Sequence, residues 1–530
     1  MLFNSPIFIF FFLPAVLSVF LLLKSLSARS DHHLQKRLPI IWLIFASLFF
    51  YGWWYPGNLA IILTSITLNY GLGILLNRNG FSAIVRKLLL VVGIGGNLLA
   101  IAYYKYAVFL VENANILLGQ NFQVPSIVLP IAISFFTFQQ IAYLVDAYAV
   151  RTEERNFINY VFFITFFPQL IAGPIVHHSD VLPQLSQTRW KVAIPEVMIG
   201  ITIFIMGLFK KVVFADSIAE YATPVFNAAS ENIIPTFSEA WVGALAYTFQ
   251  LYFDFSGYSD MAIGLAFMFG IRLPINFFSP YQAISITDFW RRWHITLSNF
   301  LRDYLYIPLG GNRKGNIRQG LNLMTTMLLG GLWHGAGWTF IFWGGLHGLA
   351  LVINHQYRTI RKRLGHQIDR DSALLKLMGW SMTFIFVVIA WVYFRAENFT
   401  TANIILASMF GFNGIELPST FQPLLGSFSN SGIGFSGFTA AIGLREKRAL
   451  FWLFCLGMTA FIMPNTQEWM GRYTPVLKMP TQMGSLLTKR SWFELLRWHP
   501  NKVWSITIGF AAGICFLALN RISEFLYFQF

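Results

Sequence analysis

Between Leu321 and Asn354 the chain runs for 34 residues, LNLMTTMLLGGLWHGAGWTFIFWGGLHGLALVIN, without one Asp, Glu, Lys or Arg. An unbroken helix of that length would measure ~51 Å, against a bilayer hydrocarbon core of ~30 Å. Gly330, Gly331, Gly335 and Gly337 crowd its first half. Glycine weakens a helix interior and lets backbones approach closely. A broken or re-entrant helix is therefore expected, and broken backbone at membrane depth has to line a cavity or be enclosed by protein. The rest of the chain points the same way. Of its 530 residues 56% are hydrophobic and 12% charged, whereas a soluble domain carries about a quarter of its residues as charge. Lipid must be part of the solvent, which predicts an all-α polytopic membrane protein.

Ser5 to Leu23 is apolar, lacks a basic leader and is followed by no small-residue cleavage site, so it reads as a first transmembrane helix and not a signal peptide. Lys24, Arg29, Lys36 and Arg37 follow it, which places this loop in the cytoplasm and the N-terminus outside. Further candidate spans are roughly 39–55, 58–77, 88–104, 125–147, 157–173, 196–214, 238–253, 258–271, 321–355, 375–395, 400–413, 448–463 and 503–520. Several are shorter than the ~20 residues a crossing needs. The expectation is about 11 true spans plus re-entrant or interfacial helices. Charge alternates across the membrane through Arg78, Arg86 and Lys87 to Arg151 and Arg155, and the pattern becomes ambiguous after residue 157. The net charge of +15 fits basic cytoplasmic loops. No RNA-binding motif or basic arm points to nucleic acid. Cys455 and Cys515 both lie in apolar runs and make no disulfide framework.

Three stretches can carry chemistry. His334 sits among the glycines of the charge-free segment, and an ionisable residue deep in the membrane marks a functional site by default. Burial favours its neutral form, which can accept a proton from an alcohol or thiol as a general base must. The competing role is a histidine satisfied by a backbone carbonyl, and His347 fits that packing role better. The second stretch, Ser285 to Arg318, carries Arg291, Arg292, Arg302, Arg313, Lys314 and Arg318 against Asp288 and Asp303, interleaved with Phe289, Trp290, Trp293, Phe300, Tyr304 and Tyr306. It reads as an amphipathic helix at the cytoplasmic interface. Its basic side chains suit lipid phosphates, or an anionic ligand with a flat ring such as a nucleotide-bearing coenzyme. His294 belongs to this segment. The third stretch, YFDFSGYSDMAIG at 252–264, holds Asp254, Ser256 and Asp260. Carboxylates there must pair, face a cavity or end a span; pairing with Arg or a histidine N–H is the expected role. No HExxH, Cys/His cluster or P-loop occurs, so no metal and no ATPase site is expected. GFSG at 434–437 is a fragment of a nucleophile elbow in a loop with no strand expected before it.

FFPQLIAGPI at 166–175, YFDFSGYSDMAIG at 252–264, FWRRWHITLSNFLRDYLYIPLGGNRKG at 289–315 and LLGGLWHGAGWTFIFWGGLHG at 328–348 resemble the membrane-bound O-acyltransferase superfamily. WVYFRAENF at 391–399 and MPNTQEW at 463–469 are similar to its alginate O-acetyltransferase branch. The resemblance covers nearly the whole chain and implies one membrane domain, 1–530, with a motif core near 125–355 and further helices in 356–530, built around a central tunnel. It implies His334 as the key histidine and His294 as the second. It implies acetyl-CoA as acyl donor, with no tightly bound cofactor, in the bacterial cytoplasmic membrane. The final acceptor it implies is an exported polysaccharide, served by a separate extracytoplasmic SGNH-type acetyltransferase. On that reading Arg291, Arg292, Trp293, Arg302, Tyr306, Arg313 and Lys314 are donor-binding candidates. Asp254, Ser256, Asp260, Asn299, Asp303 and Trp333 are candidates for supporting the tunnel. Two rivals are transfer of another acyl group, such as D-alanine from a carrier protein, and a transporter moving a glycan or lipid; a transporter commonly shows paired broken helices, and only one broken segment is visible.

Overall fold

The structure is a computed structural model and describes all residues except 30–32, 79, 124–125, 153–155, 172, 186–189, 191, 368–370, 440–441, 480–496, 520–525 and 527–530. The described chain is mostly helical. Five helical stretches are long and apolar enough to cross a membrane: Phe8–Ala28, Gly57–Leu76, Ala83–Leu118, Ile194–Ser230 and Ala373–Arg395. Phe399–Met409 and Lys502–Ala518 are shorter apolar helices. Phe11, Leu22, Ile84 and Leu99 stand 60–81% exposed on the first and third of these stretches, as lipid-facing side chains do.

The structure redraws several of the expected spans. The candidates 238–253 and 258–271 belong to one continuous helix, Phe237–Met268. The span expected over 196–214 is the first part of a longer helix, which starts at Ile194, continues through a π-turn at Lys210–Ala215 and ends at Ser230. The helix starting at Ala83 likewise continues through a π-turn at Ala102–Tyr106 as far as Leu118. Hydropathy windows stop at charged or polar residues, but the helical hydrogen-bond ladder does not have to.

The chain falls into two compact units. The first comprises Met1–Gly207, Tyr258–Ile275 and Gly471–Met479. Its core is aromatic: Phe3 stacks on Phe50 and Tyr258, and Phe167 packs edge-on to Phe12 and Phe269. Amide side chains join helices within it. Asn97 Nδ2 donates to Asn69 Oδ1 at 2.6 Å, the interhelical hydrogen bond that takes over where lipid offers no hydrophobic drive for association. Gly200 and Gly264 sit in close contact, since a Cβ on either would meet the other's carbonyl oxygen at 2.6 Å.

The second unit comprises Leu208–Gly257, Asn276–Met470 and Pro480–Phe530. The charge-free segment resolves into two helices, Gly315–His334 and Trp338–Arg363, separated by extended backbone at Gly335 and Gly337. The break is therefore where the glycines placed it. The two helices pack into a hairpin through glycine: a Cβ on Gly331 would run into Phe340 O, and one on Gly344 into Met327 O. Asn322 Nδ2 donates to Gly311 O at 2.9 Å and ties the hairpin's first helix to the preceding turn. A two-residue parallel ladder pairs Ile415–Glu416 with Ile433–Gly434. GFSG thus begins on a strand, contrary to expectation, but the next helix starts only at Glu446, so the strand–turn–helix setting of a nucleophile elbow is not formed.

Candidate active site

His294 and His334 are brought together. Their rings lie 6.5 Å apart between centroids, with His294 0% and His334 8% exposed. His334 is the last residue of the Gly315–His334 helix. Around it stand Trp333, Trp343 and Phe394, with ring centroids at 4.9, 5.2 and 5.2 Å. Trp333 also lies 6.2 Å from His294.

His294 precedes the short helix Ile295–Leu301 in left-handed backbone, φ 43° and ψ 53°. A non-glycine residue pays roughly 1 kcal/mol for that conformation, so something must hold it. Asn276 does. Its main-chain oxygen accepts from Ile295 N at 2.9 Å, and its side-chain oxygen accepts from Thr296 Oγ1 at 2.9 Å and lies 3.1 Å from His294 Nδ1. Phe255 packs edge-on to the imidazole at 4.8 Å. The loop between Asn276 and His294 is closed by Phe278 N donating to Arg292 O at 2.9 Å. Ser285 caps the Ile286–Trp290 helix, and Asp288 on that helix pairs with Arg292 at 2.9 Å.

This is an enclosed, aromatic-walled pair of imidazoles contributed by two separate breaks in the helical backbone. Such a site suits transfer of a hydroxyl proton to nitrogen and keeps water from a reactive ester or thioester.

Residues 133–396 match the model of the membrane-bound O-acyltransferase family. A probable alginate O-acetylase of Pseudomonas aeruginosa is 37% identical over 100% of both chains. The chain belongs to the membrane-bound O-acyltransferase family. A peptidoglycan O-acetyltransferase of Helicobacter pylori is 42% identical over 79% of this chain and 81% of its own length. A teichoic acid D-alanyltransferase of Streptococcus thermophilus is more distant, 26% identical over 50% of this chain and 68% of its own. The chain is thus an O-acyltransferase of the membrane, similar to alginate and peptidoglycan O-acetylases.

The remaining candidates in this acyltransferase separate into groups. The expected interfacial helix over 289–318 is a series of short pieces: Ile286–Trp290, Ile295–Leu301, a π-turn Arg302–Tyr306, then turns to Gly315. Arg291, Arg302, Arg313, Lys314 and Arg318 are exposed. Arg302 pairs with Asp303 at 2.7 Å. Arg292 is different, at 1% exposed, and its guanidinium serves the loop that carries His294. Trp293 is buried and stacks on Phe289 at 5.6 Å. Tyr306 and Asn299 are half-buried. His347 is 0% exposed and accepts from Trp290 Nε1 at 3.2 Å, within a cluster that includes Trp343 at 4.8 Å.

Asp254, Ser256 and Asp260 are all buried on the Phe237–Met268 helix. Asp260 falls in the first compact unit, whereas Asp254 and Ser256 fall in the second with the histidines. Asp254 does pair, but its partner is Lys211 at 2.6 Å, not an Arg or a histidine; Lys211 also binds Asp216 at 2.7 Å. The π-turn at Lys210–Ala215 brings Lys211 to these two carboxylates. Sequence reasoning missed Lys211 and Asn276. Lys211 carried a signal, since a lysine pair between apolar runs, Lys210 and Lys211, needs counter-charge or an exit to water. Asn276, in PINFF, carried none beyond being polar.

Proposed function

We propose that this O-acyltransferase moves acetyl groups from cytoplasmic acetyl-CoA across the bacterial cytoplasmic membrane to O-acetylate an exported polysaccharide. It works as one membrane domain of about 11 crossings around a tunnel, and a separate SGNH-type acetyltransferase outside completes the transfer. The observation that carries this reading is the buried His294–His334 pair, in a chain whose relatives at 37% and 42% identity are named alginate O-acetylase and peptidoglycan O-acetyltransferase.

In the proposed reaction a hydroxyl oxygen attacks the thioester carbonyl carbon, forming the ester C–O bond. The C–S bond breaks, and the hydroxyl proton passes through the imidazole pair to the departing thiolate. Arg291, Arg313 and Lys314, exposed on the turns around the site-bearing segment, supply charge for the coenzyme's phosphates. Surface glycan from a deletion strain complemented with wild type, His334→Ala or His294→Ala provides the test. Wild type restores ester-linked acetyl; His334→Ala does not, although the protein reaches the membrane, and His294→Ala restores little. Removing a general base costs ~10²- to 10⁴-fold in rate. Normal acetyl content with well-expressed His334→Ala sinks the reading, and D-alanyl ester in place of acetyl redirects it to a carrier-protein donor.

A further inference from the structure

The tautomer of His294 follows from its neighbours. Asn276 Oδ1 faces three groups: Thr296 Oγ1 at 2.9 Å, Thr296 N at 3.4 Å and His294 Nδ1 at 3.1 Å. A backbone N–H can only donate, so the Asn276 atom facing it is the oxygen and not the NH₂ group. An amide oxygen can only accept, so His294 Nδ1 must carry its hydrogen. A neutral imidazole has one N–H, which leaves Nε2 as the bare lone pair. Nε2 is buried and has no hydrogen-bond partner among the described residues. An unpaired buried acceptor costs about 1–3 kcal/mol, and a catalytic role is one of the reasons a fold carries such an atom.

We propose that Asn276 is a positioning residue for acyl transfer: it locks His294 in the Nδ1–H tautomer so that Nε2 receives the proton of the acceptor hydroxyl. The inference rests on the acyl-transfer reading above and assigns His294 its half of the proton path. The amide does two jobs with one side chain, because the contacts that fix the tautomer also hold the left-handed turn in which His294 sits. Its main-chain oxygen holds Ile295 N whatever the side chain, so the turn survives substitution better than the tautomer does.

Two measurements test this. The first is ¹⁵N NMR of histidine-labelled, detergent-solubilised full-length protein, with the His294 signal assigned by difference from His294→Gln. Wild type should show Nδ1 protonated and Nε2 bare, and Asn276→Ala should lose that preference. The second is acyl transfer in proteoliposomes with acetyl-CoA. Asn276→Ala should lower kcat by ~10²- to 10⁴-fold, the range for an imidazole denied its tautomer, while the donor KM stays within about twofold. Asn276→Asp accepts from the same three donors and should recover most of the rate. Its carboxylate also favours imidazolium, so the acid limb of its pH–rate profile should move to higher pH, which a purely structural role would not produce. If Asn276→Ala fails to fold, the Asn276→Asp profile decides, and an unmoved acid limb overturns the proposal. So does wild-type His294 protonated at Nε2, or an Asn276→Ala kcat within about threefold of wild type. The NMR readout does not depend on which acyl group moves, so wild type that fails to use acetyl-CoA while retaining Nδ1–H refutes the donor and not the positioning.

Discussion

Replacing Lys211 with Met should destabilise the protein by about 3–5 kcal/mol, the cost of stripping the counter-charge from a buried ion pair. Lys211 is 1% exposed and touches Asp216 at 2.7 Å and Asp254 at 2.6 Å. At an effective dielectric of ~20 each contact is worth ~6 kcal/mol of attraction, offset by several kcal/mol of desolvation for each of the three ions. The intact triad is therefore close to neutral in net stability, whereas the half-dismantled one leaves two adjacent carboxylates with no cation. The damage should reach the site, because Asp254 is followed by Phe255, whose ring packs at 4.8 Å on His294. Equilibrium unfolding in mixed micelles of Lys211→Met, of Asp216→Asn with Asp254→Asn, and of all three changes together gives the coupling energy directly. The triple variant should recover much of the loss, since uncharged groups of similar volume replace a buried ion network at little cost. The reasoning fails if Lys211→Met unfolds within about 0.5 kcal/mol of wild type, or if the triple variant is as unstable as the single.

Three further outcomes are expected. Arg313→Gln with Lys314→Gln should raise the KM for acetyl-CoA with little change in kcat, the mark of lost uniform binding, and an unchanged KM counts against the donor side proposed here. Gly331→Val should weaken the Gly315–His334 and Trp338–Arg363 hairpin by about 1–3 kcal/mol through overpacking against Phe340 O and lower activity by shifting His334; wild-type stability in micelle unfolding refutes it. His334→Ala should abolish acetylation at normal membrane abundance, read by quantitative blot beside glycan acetyl content.

How much of this was legible in sequence depended on what each feature needs from distant residues. The glycine break at 335–337 is local, and the structure puts it where the sequence does. Helix ends are less legible: the span expected over 196–214 stops short of Asp216, whereas the helix continues to Ser230 with Lys211 held inside it by Asp216 and Asp254. Asp254 needed a cation, but nothing in its surroundings named a lysine 43 positions earlier. The basic segment was read as one amphipathic helix from its composition. Composition cannot show that Arg292 turns inward to Asp288 while Arg291 stays outside.

His294 and Asn276 mark the boundary of what pattern can reach. His294 was legible as a candidate through its motif, yet its working nitrogen is decided by an amide 18 positions earlier. Both histidines stand where regular helix stops: His334 before the extended Gly335–Gly337 link, and His294 in a left-handed turn before Ile295. Inside a membrane, irregular backbone survives only if protein or a cavity surrounds it and its polar groups find partners. At His294 those partners are Asn276 main-chain and side-chain oxygens; at His334 it is glycine that permits the Gly331–Gly344 approach holding the hairpin closed. Bringing two buried imidazoles together needs side chains launched from two different backbones at fixed angles, and a helix interior would direct each ring along its own face. Breaking both helices, and tying down each break, is what makes the 6.5 Å pairing attainable.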